Sequence, residues 1–113
     1  MTGNGNNCER RLEDGVEVVS LSGEVDLSWS SEVRREILDA LDDDHPVLVE
    51  LSGVSYIDSS GIAALVEGYQ VARSRDLRFG LVAISDAVKA VLELARLDQV
   101  FPIYADLTAA RAG

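Results

Sequence analysis

Apolar positions along this chain switch between a period of two and a period near three and a half, and the switches mark its elements. Residues 1–8 are polar and Asn/Gly-rich and read as a flexible N-terminal tail, after which Glu9 to Glu13 predicts a short, mostly charged edge strand. Asp14-Gly15 is a turn dipeptide suited to a tight hairpin, since both residues tolerate positive φ. Val16 to Leu21, rich in β-branched residues, follows as a strand, and Ser22 to Leu27 as the loop at its exit. Trp29, Val33, Ile37, Ala40 and Leu41 recur every three or four residues, forming one stripe of a helix that begins near Ser28 to Ser30. The run Asp42 to Pro46 ends it, because proline cannot continue a helix.

Val47 to Leu51 is nearly all apolar, as a strand buried on both faces requires, and Ser52 to Asp58 is the loop beyond it. A second helix starts at Asp58 or Ser59, carries Ile62, Leu65, Val66, Tyr69 and Ala72 inward, and stops around Arg73 to Asp76. Phe79 to Ile84 predicts another strand, and Ser85-Asp86 caps a third helix with Val88, Val91, Leu92 and Ala95 inward. Val100 to Tyr104 gives a last strand, and Asp106 caps a final helical turn or two. The order β-β-α-β-α-β-α-β-α predicts an α/β fold with a mixed β-sheet. Its parallel strands are joined by right-handed crossovers, with one antiparallel hairpin at the start.

At 113 residues the chain holds one domain, placed at 9–113. No apolar run approaches the roughly 18 residues that cross a bilayer. The first residues show neither the basic nor the apolar region of an export signal, so a cytoplasmic protein without membrane contact is expected. Cys8 and His45 are the single cysteine and single histidine, too few for a Cys/His metal site. The net charge of −10 argues against nucleic acid as a partner, since binding it requires neutralised phosphates. Residues 1–56 carry 13 acidic and 4 basic side chains, against 7 and 6 in residues 57–113. The first half is therefore the one to meet a basic protein surface, although solubility explains the same charge.

Chemistry in parallel α/β sheets gathers where strands end and helices begin. Two segments lie at such places and are expected to be neighbours: Gly23-Glu24-Val25-Asp26 and Ile57-Asp58-Ser59-Ser60-Gly61. A hydrolytic triad fails, because His45 precedes the third strand and Ser59 follows it, about 17 Å away along the roughly five strand residues between them. Asp26 and Asp58 form a carboxylate pair on paper, but a domain this small offers little wall for a sugar cleft. Neither phosphate-binding glycine motif occurs, and Lys89 is the only lysine. Asp58 as a phospho-acceptor of the receiver type would need a lysine at the end of the last strand, and none stands there. The chain is not expected to be an enzyme. Two readings of Asp58 to Gly61 remain open. Either Asp58 or Ser59 is a plain helix cap, with Gly61 a close-packing residue, or Ser59 is a phosphorylation site exposed at a helix start.

Gly23 to Asp26, Val47 to Leu51, Tyr56-Ile57-Asp58-Ser59-Ser60-Gly61, Val82 to Val88 and Leu97 to Phe101 together resemble the STAS domain of bacterial anti-sigma factor antagonists, over about Val16 to Tyr104. The resemblance implies partner switching. The unphosphorylated antagonist binds an anti-sigma factor, a serine kinase with a histidine-kinase-like ATPase fold, and so frees the sigma factor. Phosphorylation of the first serine of the motif, here Ser59, releases the complex, and a PP2C-like phosphatase restores it. It further implies Glu24, Asp26, Asp58, Ser59, Ser60, Gly61 and Ile62 as the partner-binding set, a monomer when free, and no cofactor, since kinase and phosphatase supply nucleotide and metal. The alternative within the family is an adaptor subunit on the ATPase of a lipid-transport ABC system.

Overall fold

The computed structural model describes residues 5–112. Nine elements follow one another: β1 (Asn7–Glu13), β2 (Val16–Val25), α1 (Ser30–Asp42), β3 (Val47–Ile57), α2 (Ser59–Ser74), β4 (Phe79–Val82), α3 (Asp86–Leu94), β5 (Ile103–Tyr104) and α4 (Leu107–Ala112). The five strands lie side by side in chain order, with β1 antiparallel to β2 and every later pair parallel. This is the α/β order expected. Asp14 and Gly15 turn the hairpin with φ of 53° and 80°, the left-handed pair that a two-residue connection between twisted strands needs.

Because parallel neighbours are joined by crossovers of one hand, successive helices pack on the same face. Val19, Val47, Val49, Leu51 and Leu81 from the strands accordingly share one core with Val33 and Ile37 of α1, Leu65 of α2 and Leu92 of α3. Leu48 and Val82 point to the other face, where Ala110 of α4 covers them. Arg34 of α1 grips Glu67 of α2 through two parallel bonds of 2.6 Å, aligning the two helices across the surface.

Several boundaries differ from expectation. β1 begins at Asn7, so Asn7 and Cys8 belong to the sheet; residues 1–4 of the expected tail lie outside the described residues. β2 does not stop at Leu21. Gly23, at φ 101°, lets the strand pass through register shifts and go on pairing from Glu24 to Val25. β3 likewise continues from Leu51 to Ile57, because Val54 and Ile57 still reach the core between exposed Ser52, Gly53, Ser55 and Tyr56. β4 ends at Val82, since Ala83 takes a left-handed backbone with φ 52°. β5 shrinks to two residues: Val100 and Phe101 turn back onto the Leu97 carbonyl, and Pro102 has no N–H to donate. Ala95, expected inward, is exposed.

Candidate functional site

The longer β2 and β3 bring the two motif segments together. Glu24 pairs with Tyr56 and Val25 with Ile57, and the Asp58 N–H donates to the Val25 carbonyl at 3.3 Å. The strand ends therefore open side by side onto the start of α2.

Asp58 is the N-cap of α2. Its Oδ1 accepts the amides of Ser60 at 2.9 Å and Gly61 at 3.2 Å, and the Ser60 hydroxyl at 2.6 Å. The Ser60 hydroxyl first, and then the amides of Gly61, Ser60 and Leu27, hold the carboxyl below its ordinary pKa against the opposing pull of burial. The two serines are thereby separated. Ser60 is half-buried and bonded into the cap. Ser59 is exposed, and among the described residues nothing bonds its hydroxyl.

Gly61 is buried where α2 crosses the strand ends. A Cβ there would stand 2.7 Å from Ile57 Cγ1 and 2.8 Å from the Val25 carbonyl oxygen. Close helix–strand packing, the plain reading of this glycine, is what the structure shows. Ile62, expected at a partner surface, is only 7% exposed and packs in the core with Val25 and Ile57, so its apolar side chain faces inward.

Asp26 is also internally engaged. Its Oδ1 accepts the Ser28 N–H at 3.0 Å and hydroxyl at 2.6 Å, and its carbonyl accepts the amides of Trp29 and Ser30. It builds the turn into α1, whose N-cap, Trp29, makes no side-chain capping bond and lies in the core. The expected serine cap of α1 is thus replaced by the Asp26 turn. Glu24 is exposed, its N–H bonded to Asn6 Oδ1 at 2.8 Å.

Sequence reasoning passed over two residues at this edge. Leu27 is 78% exposed and Tyr56 51%. Both fall in segments expected as loops, so only the sheet geometry brings them to this edge. Ser85 caps α3 as expected, accepting the Val88 N–H at 3.3 Å, and also ties that helix to the same strand by donating its hydroxyl to the Val54 carbonyl at 2.6 Å.

Other reactive side chains lie elsewhere. Burial, reinforced by Glu36, pushes the Cys8 thiol up to about 11, which keeps it protonated and unreactive at neutral pH. At the opposite end of the sheet Glu17, Asp43 and His45 come together, with ligand atoms within 4.8 Å of one another. The guanidinium of Arg10 already stands 3.4 Å from Glu17 and 3.7 Å from Asp43 as their counter-ion. His45 precedes the first residue of β3 and Ser59 follows the last, so the 11 residues of that strand separate them further than expected. Among the described residues no helix is long and apolar enough to cross a membrane.

This sheet order, with a capped helix start beside the exits of two parallel strands, defines a class, and the comparisons name it. The family model described as "STAS domain" matches residues 7–110, and the chain belongs to that family. An anti-sigma-F factor antagonist of Mycobacterium tuberculosis, RsfB, is 29% identical over 101 residues, covering 88% of this chain and 82% of the relative. An anti-sigma F factor antagonist of Paenibacillus polymyxa is 29% identical over 93 residues, covering 80% and 79%. The crystal structure of an anti-sigma factor antagonist from Mycobacterium paratuberculosis superposes with a TM-score of 0.85 at 29% identity, covering 98% of this chain and 95% of that one.

Proposed function

We propose that this protein is an anti-sigma factor antagonist that works by partner switching. Unphosphorylated, it binds an anti-sigma factor serine kinase of histidine-kinase-like ATPase fold and so releases the sigma factor to transcription. The kinase transfers the γ-phosphoryl of ATP to Ser59 Oγ: an O–P bond forms, ADP leaves, and the hydroxyl proton passes to a base on the kinase. A PP2C-like phosphatase hydrolyses the ester to serine and inorganic phosphate. This chain contributes the docking surface and the acceptor. The names carried by its relatives support the antagonist role, and one observation carries the switch: of two adjacent serines, only Ser59 presents a free, exposed hydroxyl.

The surroundings explain why a phosphoryl group there would eject a partner. It adds about −1.5 to −2 charge at neutral pH. Helix-start amides can cradle a phosphate, but those of Ser60 and Gly61 are already bonded to Asp58. No Lys or Arg occurs between Arg11 and Arg34 or between Arg35 and Arg73. The new charge has no partner within these segments, and an unpaired phosphate trapped in an interface costs several kcal/mol. Glu24, Asp26 and Asp58 beside it sharpen the repulsion of any further negative charge.

The test is a pull-down from native lysate with wild type, Ser59→Ala and Ser59→Asp as baits. A small ATPase-fold kinase retained by wild type and Ser59→Ala but lost with Ser59→Asp supports the switch. With ATP, that kinase adds one phosphoryl mass to wild type and none to Ser59→Ala. Recovery of an ABC ATPase by all three baits would refute the switch and leave the adaptor alternative, with Ser59 only the first residue of a helix.

A further inference from the structure

Leu27 is the most exposed large apolar side chain at the site, yet its backbone is held on every side. Asp26 binds Ser28 through its side chain and the amides of Trp29 and Ser30 through its carbonyl. Leu27's own N–H faces the Asp58 carboxylate and helps to hold it ionised, one residue before Ser59. Two residues on, Trp29 is anchored in the core. Its side chain thus stands in water on a tied backbone beside the Asp58 cap. Tyr56 stands three residues before Ser59, half in water, and pairs across the strands with exposed Glu24.

A single exposed leucine is ordinary. Two large apolar side chains exposed at the exits of β2 and β3, with Glu24 and Asp26 in the same segments and no Lys or Arg there, suit a protein interface of apolar centre and charged rim. We infer that Leu27 is the apolar anchor of this surface and enters a pocket on the anti-sigma factor that is rimmed by basic side chains. The inference rests on the antagonist reading above. Leu27 sets the strength of the complex, Ser59 decides whether it survives, and Asp26 acts as a positioning residue that holds Leu27 outward.

Calorimetric titration of the full chain into the purified kinase recovered above tests this. Leu27→Ala and Leu27→Gln are each expected to raise Kd about tenfold or more, the loss typical of an interface hot spot. Leu94→Ala, at the end of α3 and 88% exposed, is expected to leave Kd unchanged. All three keep the wild-type melting temperature, and the Leu27 variants raise the KM for Ser59 phosphorylation without changing kcat. Binding by both Leu27 variants within about twofold of wild type, with Ser59→Asp still released, overturns the anchor and spares the antagonist reading. Failure to recover any such kinase with wild type overturns both.

Discussion

Around Asp58 a hydroxyl and two amides converge on one carboxylate, from Ser60 and Gly61, and the Leu27 N–H across the strand ends adds to their pull. Each donor favours the anion over the acid, so the folded carboxyl titrates below its unfolded value of about 3.9. A depressed acid contributes stability that is complete above the unfolded pKa and is lost as pH falls through the folded one. Asp58→Ala is therefore expected to cost about 1 kcal/mol at pH 7, the usual loss of an N-cap, or roughly 4 °C in Tm. Urea titrations should show the gap to wild type narrowing as the pH falls below the ordinary carboxylate range; a constant gap would mean the charge is irrelevant to the cap. The same carboxylate settles which serine is free. The letters Asp-Ser-Ser-Gly allow either hydroxyl to turn back to the cap, and only the bond from Ser60 decides it.

At the level of elements, α2 starts where it does because Gly61 lets it sit on the ends of β2 and β3. Gly61→Ala gains helix propensity of about 1 kcal/mol, but its Cβ would meet the Val25 carbonyl and Ile57 at under 3 Å. Backbone cannot yield as a flexible side chain can, so a net loss of about 1–3 kcal/mol is expected. A raised melting temperature for Gly61→Ala would show that the helix start shifts freely. The sequence carried the order of elements well, because period and apolar runs report which face is buried. It carried their ends poorly. α1, α2 and α3 are followed by left-handed Asp44, Asp76 and Arg96 instead of glycine, so the usual stop signal is missing. The far halves of β2 and β3 are paired by neighbours yet read as polar loop, since pairing is non-local and leaves no periodic trace. For that reason the motif segments were found while the exposure of Leu27 and Tyr56 at their edge, which stands out only once the strands extend, was not.

Over the whole molecule, the edge where the partner is proposed to dock carries Glu24, Asp26 and Asp58 and, between Arg11 and Arg34 and between Arg35 and Arg73, no Lys or Arg. Charges on an exposed rim act mainly before contact. They steer the encounter over a Debye length, about 10 Å at 0.1 M salt, and matter less once water has been expelled from the centre. Leu27, by contrast, acts only after contact. Raising NaCl from about 0.05 to about 0.5 M is thus expected to slow association with the kinase by roughly tenfold while leaving dissociation within about twofold. Stopped-flow mixing separates the two rates. Salt that instead speeds dissociation would place the ion pairs inside the interface. Ser59 phosphorylation would then act by breaking bonds already made, and the acidic edge, rather than Leu27, would hold the complex together.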